Sequence, residues 1–300
     1  MNNIHPEMYQ HPGDISGINY LKKIPLADKI VKMIYDNGLD AAQKILQTGS
    51  YFKITASSYP KLHDIFLESC KNLNIRSIPK FYLKRDELNA YATNVQDPIV
   101  TITTDVVEYL SEQEMKFVIG HELGHIQCQH IMYTEIAQNL PFILQYGGNI
   151  AKMLSQPLQL AIMRWYRKSE FSCDRAGLLN CREIKDAISA IAKISGFYPK
   201  DTQQINTDCF LEQAKDFDSS VLSTTNRFIE MLLIMNADHP WAILRAKELF
   251  SWYKKGYYEK IINNQSIPEE NIDKNKYCIN CGSIIENNSK FCKNCGQKTI

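Results

Sequence analysis

The stretch VIGHELGHIQCQH, Val118 to His130, limits the folds open to this chain more than any other segment. It sets two histidines four residues apart, with a glutamate directly after the first, inside an apolar run. On an α-helix, residues i and i+4 lie one turn apart on one face. His121 and His125 therefore aim two imidazole nitrogens at one point, as a metal ion requires. Glu122 is rotated about 100° from His121, so it flanks that point rather than facing it. A carboxylate placed there accepts a proton from the water that a metal activates. Ser111-Glu112-Gln113-Glu114 has the spacing of a capping box, which predicts a helix start near Glu112. Phe117, Val118, Ile119, Leu123 and Ile126 make that helix a buried one. Gly120 and Gly124 leave room for a close neighbour, at about 1 kcal/mol each in helix propensity.

Two satisfied histidines on a helix are the bland alternative, and a third ligand is needed to displace it. A catalytic zinc takes three protein ligands and keeps an open position. His130 is nearest in sequence, but it is turned about 140° from His125 and shares the ion only where the helix has already ended. Glu170 is the better candidate. A second helix is expected to follow Pro157, past Trp165 and toward Asn180. In Glu170-Phe171-Ser172-Cys173-Asp174 it carries two acids one turn apart. Glu170 can ligate while Asp174 accepts a hydrogen bond from the non-ligating nitrogen of one histidine. Cys128 and Cys173, one turn beyond His125 and Glu170, are expected to be small buried side chains.

The remaining elements predict an α+β chain, mostly helical. Helices are expected over Leu26–Leu46, Tyr59–Leu73 and the stretches 183–195, 224–236 and 240–262. Lys80-Phe81-Tyr82-Leu83, Asn89 to Thr93 and Ile99 to Thr103 read as a small antiparallel sheet. Residues 1–50 form a helical extension, 51–262 the main domain and 263–276 a polar linker. Cys278, Cys281, Cys292 and Cys295 make two Cys-x-x-Cys knuckles with ten residues between them. Four such thiolates close a tetrahedral zinc shell, so 277–300 reads as a zinc ribbon whose metal supplies its folding energy.

Composition excludes several classes. The formal charge is +1, and 277–300 holds three lysines, one glutamate and no arginine, which argues against nucleic acid and for a protein-interaction or autoregulatory ribbon. The polar N-terminus carries no signal-peptide pattern, and cysteines clustered at the tail fit a reducing cytoplasm, not secretion. The most apolar region, Leu140 to Met163, is interrupted by Gln145, Gly147, Gly148, Asn149, Lys152, Gln156, Pro157 and Gln159, and falls short of the ~20 residues a bilayer span needs. It lies in the 44 residues between His125 and Glu170. That insert is expected to cover the cleft or to touch a membrane or partner peripherally.

The order of Asn89-Ala90-Tyr91-Ala92, Leu110 to Glu114, His121 to His125, Glu170 to Asp174 and Asp238-His239-Pro240 with Arg245 resembles the HtpX and CaaX-prenyl-protease family of zinc metallopeptidases, a gluzincin group. The resemblance covers about residues 55 to 255. It implies a zincin-like domain hydrolysing peptide bonds, with zinc on His121, His125 and Glu170 and with Glu122 as general base. It implies that Asn89 to Ala92 form an edge strand to which an extended peptide adds. His239 is implied to face the zinc, stabilising the oxyanion or blocking the metal at rest. Arg245 is expected to pair with a carboxylate and hold its helix in place. The chain lacks the strong transmembrane helices of membrane-bound members, which implies a soluble or membrane-associated relative. The expectation is thus a zinc endopeptidase with one catalytic and one structural zinc. The competing expectation is a non-hydrolytic or latent peptide-binding scaffold whose ribbon mediates protein interactions.

Overall fold

A computed structural model describes residues 4–36, 40–195, 206–213, 241–265, 276–277, 284–285 and 289–290. His239, the expected helix at 224–236 and the four ribbon cysteines lie outside them.

The chain begins with helices α1 (Pro6–Tyr9), α2 (Pro12–Leu21), α3 (Ala27–Ile34) and α4 (Asp40–Ser50). The single helix expected over Leu26–Leu46 is thus two, and the Asn37-Gly38 pair of the sequence falls between them. Strand β1 (Phe52–Lys53), helix α5 (Pro60–Asn72) and strands β2 (Lys80–Lys84), β3 (Ala90–Thr93) and β4 (Ile99–Thr103) follow. Next come α6 (Thr104–Tyr109), α7 (Glu112–Gln127), α8 (Ile131–Gln138), α9 (Leu140–Tyr146), α10 (Asn149–Met153), the 26-residue α11 (Gln156–Cys181) and α12 (Ile184–Ile194). Helices α13 (Ala242–Lys254) and α14 (Tyr257–Ile262) replace the one helix expected from 240 to 262. Gly256, at φ 76°, breaks it in the left-handed region that glycine enters without steric cost.

The architecture is α+β, as expected, but the sheet is mixed, not antiparallel. Its strand order is β1-β2-β4-β3, with β2 and β4 parallel and the other two pairs antiparallel. The physical reason is burial. Every residue of β4 is buried, whereas β2 and β3 are each partly open. The strand buried on both faces takes the centre, inserting between β2 and the strand that precedes it in sequence. This leaves β3 on an edge.

Two apolar clusters hold the fold. One joins the sheet to α5, α7, α11, α12 and α13 through Phe66, Phe81, Ile102, Phe117, Leu123 and Leu249. The other joins α2 and α3 to α8–α11 through Leu21, Val31, Ile136, Leu158 and Trp165.

Helices α7 and α11 meet along small residues. A Cβ added at Gly120 would sit 2.6 Å from Asn180 Cβ and 3.1 Å from Gly177 Cα; at Gly124 it would sit 2.9 Å from Ala176 Cβ. Asn180 locks the crossing by donating from Nδ2 to the Lys116 carbonyl at 2.6 Å and to Ser69 Oγ at 2.8 Å. The start of α7 is fixed by the capping box: Ser111 Oγ accepts from the Glu114 amide and Glu114 Oε2 accepts from the Ser111 amide.

Candidate active site

The close crossing of α7 and α11 brings His121 and His125 opposite Glu170 and Asp174. Glu170 Oε2 lies 3.4 Å from His121 Nε2, and Glu170 Oε1 lies 3.2 Å from His125 Nε2. All three side chains are buried. In a tetrahedral shell with bonds of about 2.0–2.1 Å, neighbouring donor atoms stand about 3.3–3.4 Å apart. The two histidine-to-carboxylate separations match that spacing, so His121, His125 and Glu170 could hold a zinc ion through donors of the type zinc takes in catalytic sites. Glu122 is buried on the same helix, one residue after His121.

Asp174 lies beside His121, where its spacing placed it. Its Oδ1 lies 3.0 Å from His121 Nδ1, leaving Nε2 for the ion. Arg245 on α13 grips Asp174 from the other side, Nε to Oδ2 at 3.0 Å and an Nη to Oδ1 at 2.6 Å, and stands 3.7 Å from Glu170. The carboxylate expected for Arg245 is thus Asp174, with Glu170 beside it.

These contacts set opposite charge preferences on the two rings. Burial disfavours a charged His121, but the Glu170 charge and its bonds to Asp174 and Glu170 outweigh burial and lift it to about 9. At His125 burial wins over the pull of Glu170, and the ring is held below its ordinary value. Burial would raise Asp174, yet Arg245 holds it below the usual carboxylate range.

Strand β3, containing Ala90, Tyr91 and Ala92, lies at the sheet edge and packs on α7. Asn89 caps it, its Oδ1 accepting from the Ala90 amide at 2.8 Å and its carbonyl accepting from the Thr103 amide. The Tyr91 hydroxyl is engaged with Tyr51 at 3.1 Å.

Two further side chains stand beside the site: Cys173, expected as a small buried residue, and His130, expected to share the ion only where the helix has ended. Cys173 offers a sulfur within 4.8 Å of the His121 and His125 donor atoms. It is fully buried, and without a metal burial pushes its thiol well up. His130 does return beside His125, because α7 ends at Gln127 and Gln129 turns the chain back at φ 59°. Its Nε2 points elsewhere, 3.0 Å from Asp14 Oδ2. Only the i, i+3 spacing of Cys173 from Glu170 signalled the first, and no local pattern signals Asp14.

Comparison with known proteins is consistent with this geometry. The model of Peptidase family M48 matches residues 56–253, about two thirds of the chain. The chain belongs to this family. Among curated relatives, the "Plastoglobule-localized metallopeptidase 48, chloroplastic" of Arabidopsis thaliana is 28% identical over 257 residues, covering 85% of this chain and 74% of the relative. A "Protease HtpX homolog" of Helicobacter acinonychis is 27% identical over 200 residues, 57% of this chain and 65% of that protein. One from Methylibium petroleiphilum is 28% identical over 170 residues, 48% and 60% of the two chains. No solved structure matches the chain. As a family member the protein is a metallopeptidase, and the His121, His125 and Glu170 cluster lies inside the matched region.

Proposed function

We propose that this metallopeptidase is a zinc-dependent endopeptidase whose metal is held by His121, His125 and Glu170. The observation that carries the reading is the Glu170 carboxylate, with one oxygen within 3.4 Å of each ligand-facing imidazole nitrogen. When bound, zinc supplies Lewis-acid polarisation of the scissile carbonyl and acidifies water next to it. Glu122 takes a proton from the attacking water at its carboxylate and passes it to the leaving amine nitrogen as the C–N bond breaks. Asp174 fixes the His121 ring through Nδ1, and Arg245 fixes Asp174. The outer edge of β3, from Asn89 to Ala92, receives an extended substrate through backbone hydrogen bonds. His239 is assigned to the oxyanion of that substrate.

Glu122→Gln tests the assignment. Zinc content stays that of the wild type, while cleavage of casein or a peptide library falls by at least about 100-fold. Turnover retained in the purified variant would overturn the role.

The ribbon at Cys278, Cys281, Cys292 and Cys295 is assigned a second, structural zinc and a protein partner. The insert is assigned a peripheral membrane contact. Supporting this, Phe142, Leu144, Tyr146 and Met153 are exposed, with the rings of Phe142 and Tyr146 4.9 Å apart. Among the described residues no helix is long and apolar enough to cross a membrane. The name of the Arabidopsis relative, which places that protein at plastoglobules, points the same way. Free thiols at Cys70, Cys128, Cys173, Cys181 and Cys209 fit a reducing compartment.

A further inference from the structure

The two imidazoles facing Glu170 are held by different means. His121 has Asp174 at its second nitrogen. Among the described residues, no hydrogen-bond partner reaches His125 Nδ1, although the ring is buried. Apart from the Glu170 oxygen at Nε2, its orientation is left to ring packing. His121 meets it edge-on at 5.1 Å and 69°, and His130 meets it edge-on at 5.5 Å and 72°. The backbone reinforces the second contact, since the His130 amide donates to the His125 carbonyl at 2.8 Å.

His130 is itself clamped. Its ring stands edge-on to Trp165 at 5.4 Å, and its Nδ1 lies 3.7 Å from Cys173 Sγ. Its Nε2 lies 3.0 Å from Asp14. Asp14 is fully buried and tied on every side: Trp165 Nε1 donates to Oδ1 at 2.8 Å, Ser172 Oγ to Oδ2 at 2.7 Å and Gln10 Nε2 to Oδ2 at 3.0 Å. Asp14 belongs to α2, outside the residues 56–253 that the family model matches. The line Asp14–His130–Cys173 has the order of an acid, a base and a nucleophile. Its thiol is 0% exposed, so no substrate reaches it. The line acts through position.

We infer that Asp14 is a positioning residue of the metal site, orienting His125 through His130, and that the N-terminal segment completes the catalytic centre. The inference rests on the proposed zinc ligation by His121, His125 and Glu170. Groups hydrogen-bonded behind a metal ligand typically change metal affinity 10–100-fold when removed, and that range is the upper bound for a ring contact.

The test uses the full chain with cobalt(II) or zinc at the catalytic site. Asp14→Asn keeps the side-chain shape and removes the charge facing His130. His130→Phe keeps ring volume and removes the link to Asp14. Glu248→Gln is the control: it weakens a different tie of the N-terminal segment, to His11 at 3.2 Å, without touching Asp14. Asp14→Asn and His130→Phe are expected to weaken zinc binding in chelator competition by more than about 3-fold, up to about 100-fold, and to shift the cobalt visible bands. Glu248→Gln is expected to lower the melting temperature with unchanged bands. A role in folding alone moves melting temperature in all three and leaves the bands of the folded protein as in the wild type. Zinc affinity within about 3-fold of wild type and unchanged bands in both test variants would overturn the inference. Should Asp14→Asn fail to fold, His130→Phe decides by the same readings. Wild-type protein that takes up no metal at His121 and His125 would instead sink the functional reading beneath it.

Discussion

Asp174 and Arg245 form a buried ion pair with two hydrogen bonds, and neither tolerates loss of the other. Arg245→Ala leaves an uncompensated buried carboxylate, a loss of about 3–5 kcal/mol expected in urea melts of the metal-free protein. The variant should also bind zinc more weakly, because Asp174 then loses its grip on His121. A melt and a metal affinity both equal to wild type would contradict this. Asp14 gives a prediction in pH. Burial pushes its carboxyl up, but His130, Ser172 and Gln10 pull it down by more, to about 2. Its folded value is depressed below the unfolded ~3.9, so its stabilisation is present above about pH 4 and is lost as pH falls toward 2. Asp14→Asn should therefore cost about 2 kcal/mol at neutral pH, with the difference shrinking in acid denaturation near pH 2. A difference constant with pH would count against the charged form of Asp14. Asp174 was legible from its one-turn spacing to Glu170. Asp14 was not, because its partners His130, Trp165 and Ser172 lie more than a hundred residues away.

The element that matters most is the pair α7 and α11. Helix α7 was readable from local chemistry alone: a capping box at Ser111, apolar neighbours and histidines one turn apart. The crossing was half readable, since Gly120 and Gly124 announced a close neighbour without naming it. The neighbour is Ala176, Gly177 and Asn180 of α11. Gly124→Ala gains about 1 kcal/mol of helix propensity and meets Ala176 Cβ, where overpacking costs about 1–3 kcal/mol. Gly120→Ala meets backbone at Gly177 as well as Asn180, and is expected to be the more destabilising of the two and to weaken zinc binding by separating His121 from Glu170. Thermal melts of both variants with a zinc titration check the order; a stabilised Gly120→Ala would contradict the packing. The sheet was misread because strand direction is a long-range property. The aromatic and β-branched runs at Lys80–Leu83 and Ile99–Thr103 say that each is a strand, but not that they run parallel with β3 outside them.

At the scale of the whole molecule, two clusters flank the proposed metal site, Phe117 of one standing beside His121 and Trp165 of the other beside His130. The sheet-centred cluster lies within and around the family-matched residues, while the second joins α2 and α3 to the insert. The sequence left residues 1–50 without a role because amphipathic periodicity shows which face is buried and not against what. Tyr9 and Asp14 bind the long helix carrying Glu170: Arg175 donates to the Tyr9 carbonyl at 3.1 Å, and Ser172 donates to Asp14. The insert's exposed aromatics predict that the protein sediments with anionic vesicles and that Phe142→Ser with Tyr146→Ser abolishes this. Equal sedimentation of the double variant would remove the membrane from the account. Zinc counting tests the division of labour along the chain. The full protein is expected to hold two equivalents, and Cys278→Ser with Cys281→Ser to leave one with peptidase activity retained. Two equivalents retained by that variant would rule out the ribbon site.

The most direct measurement of the central claim is a zinc-edge anomalous difference map from crystals of the full chain. The account predicts a peak about 2.0–2.2 Å from Nε2 of His121, Nε2 of His125 and one carboxylate oxygen of Glu170, with Cys173 Sγ outside bonding distance. A peak bonded to Cys173 in place of Glu170, or none between α7 and α11, would contradict it.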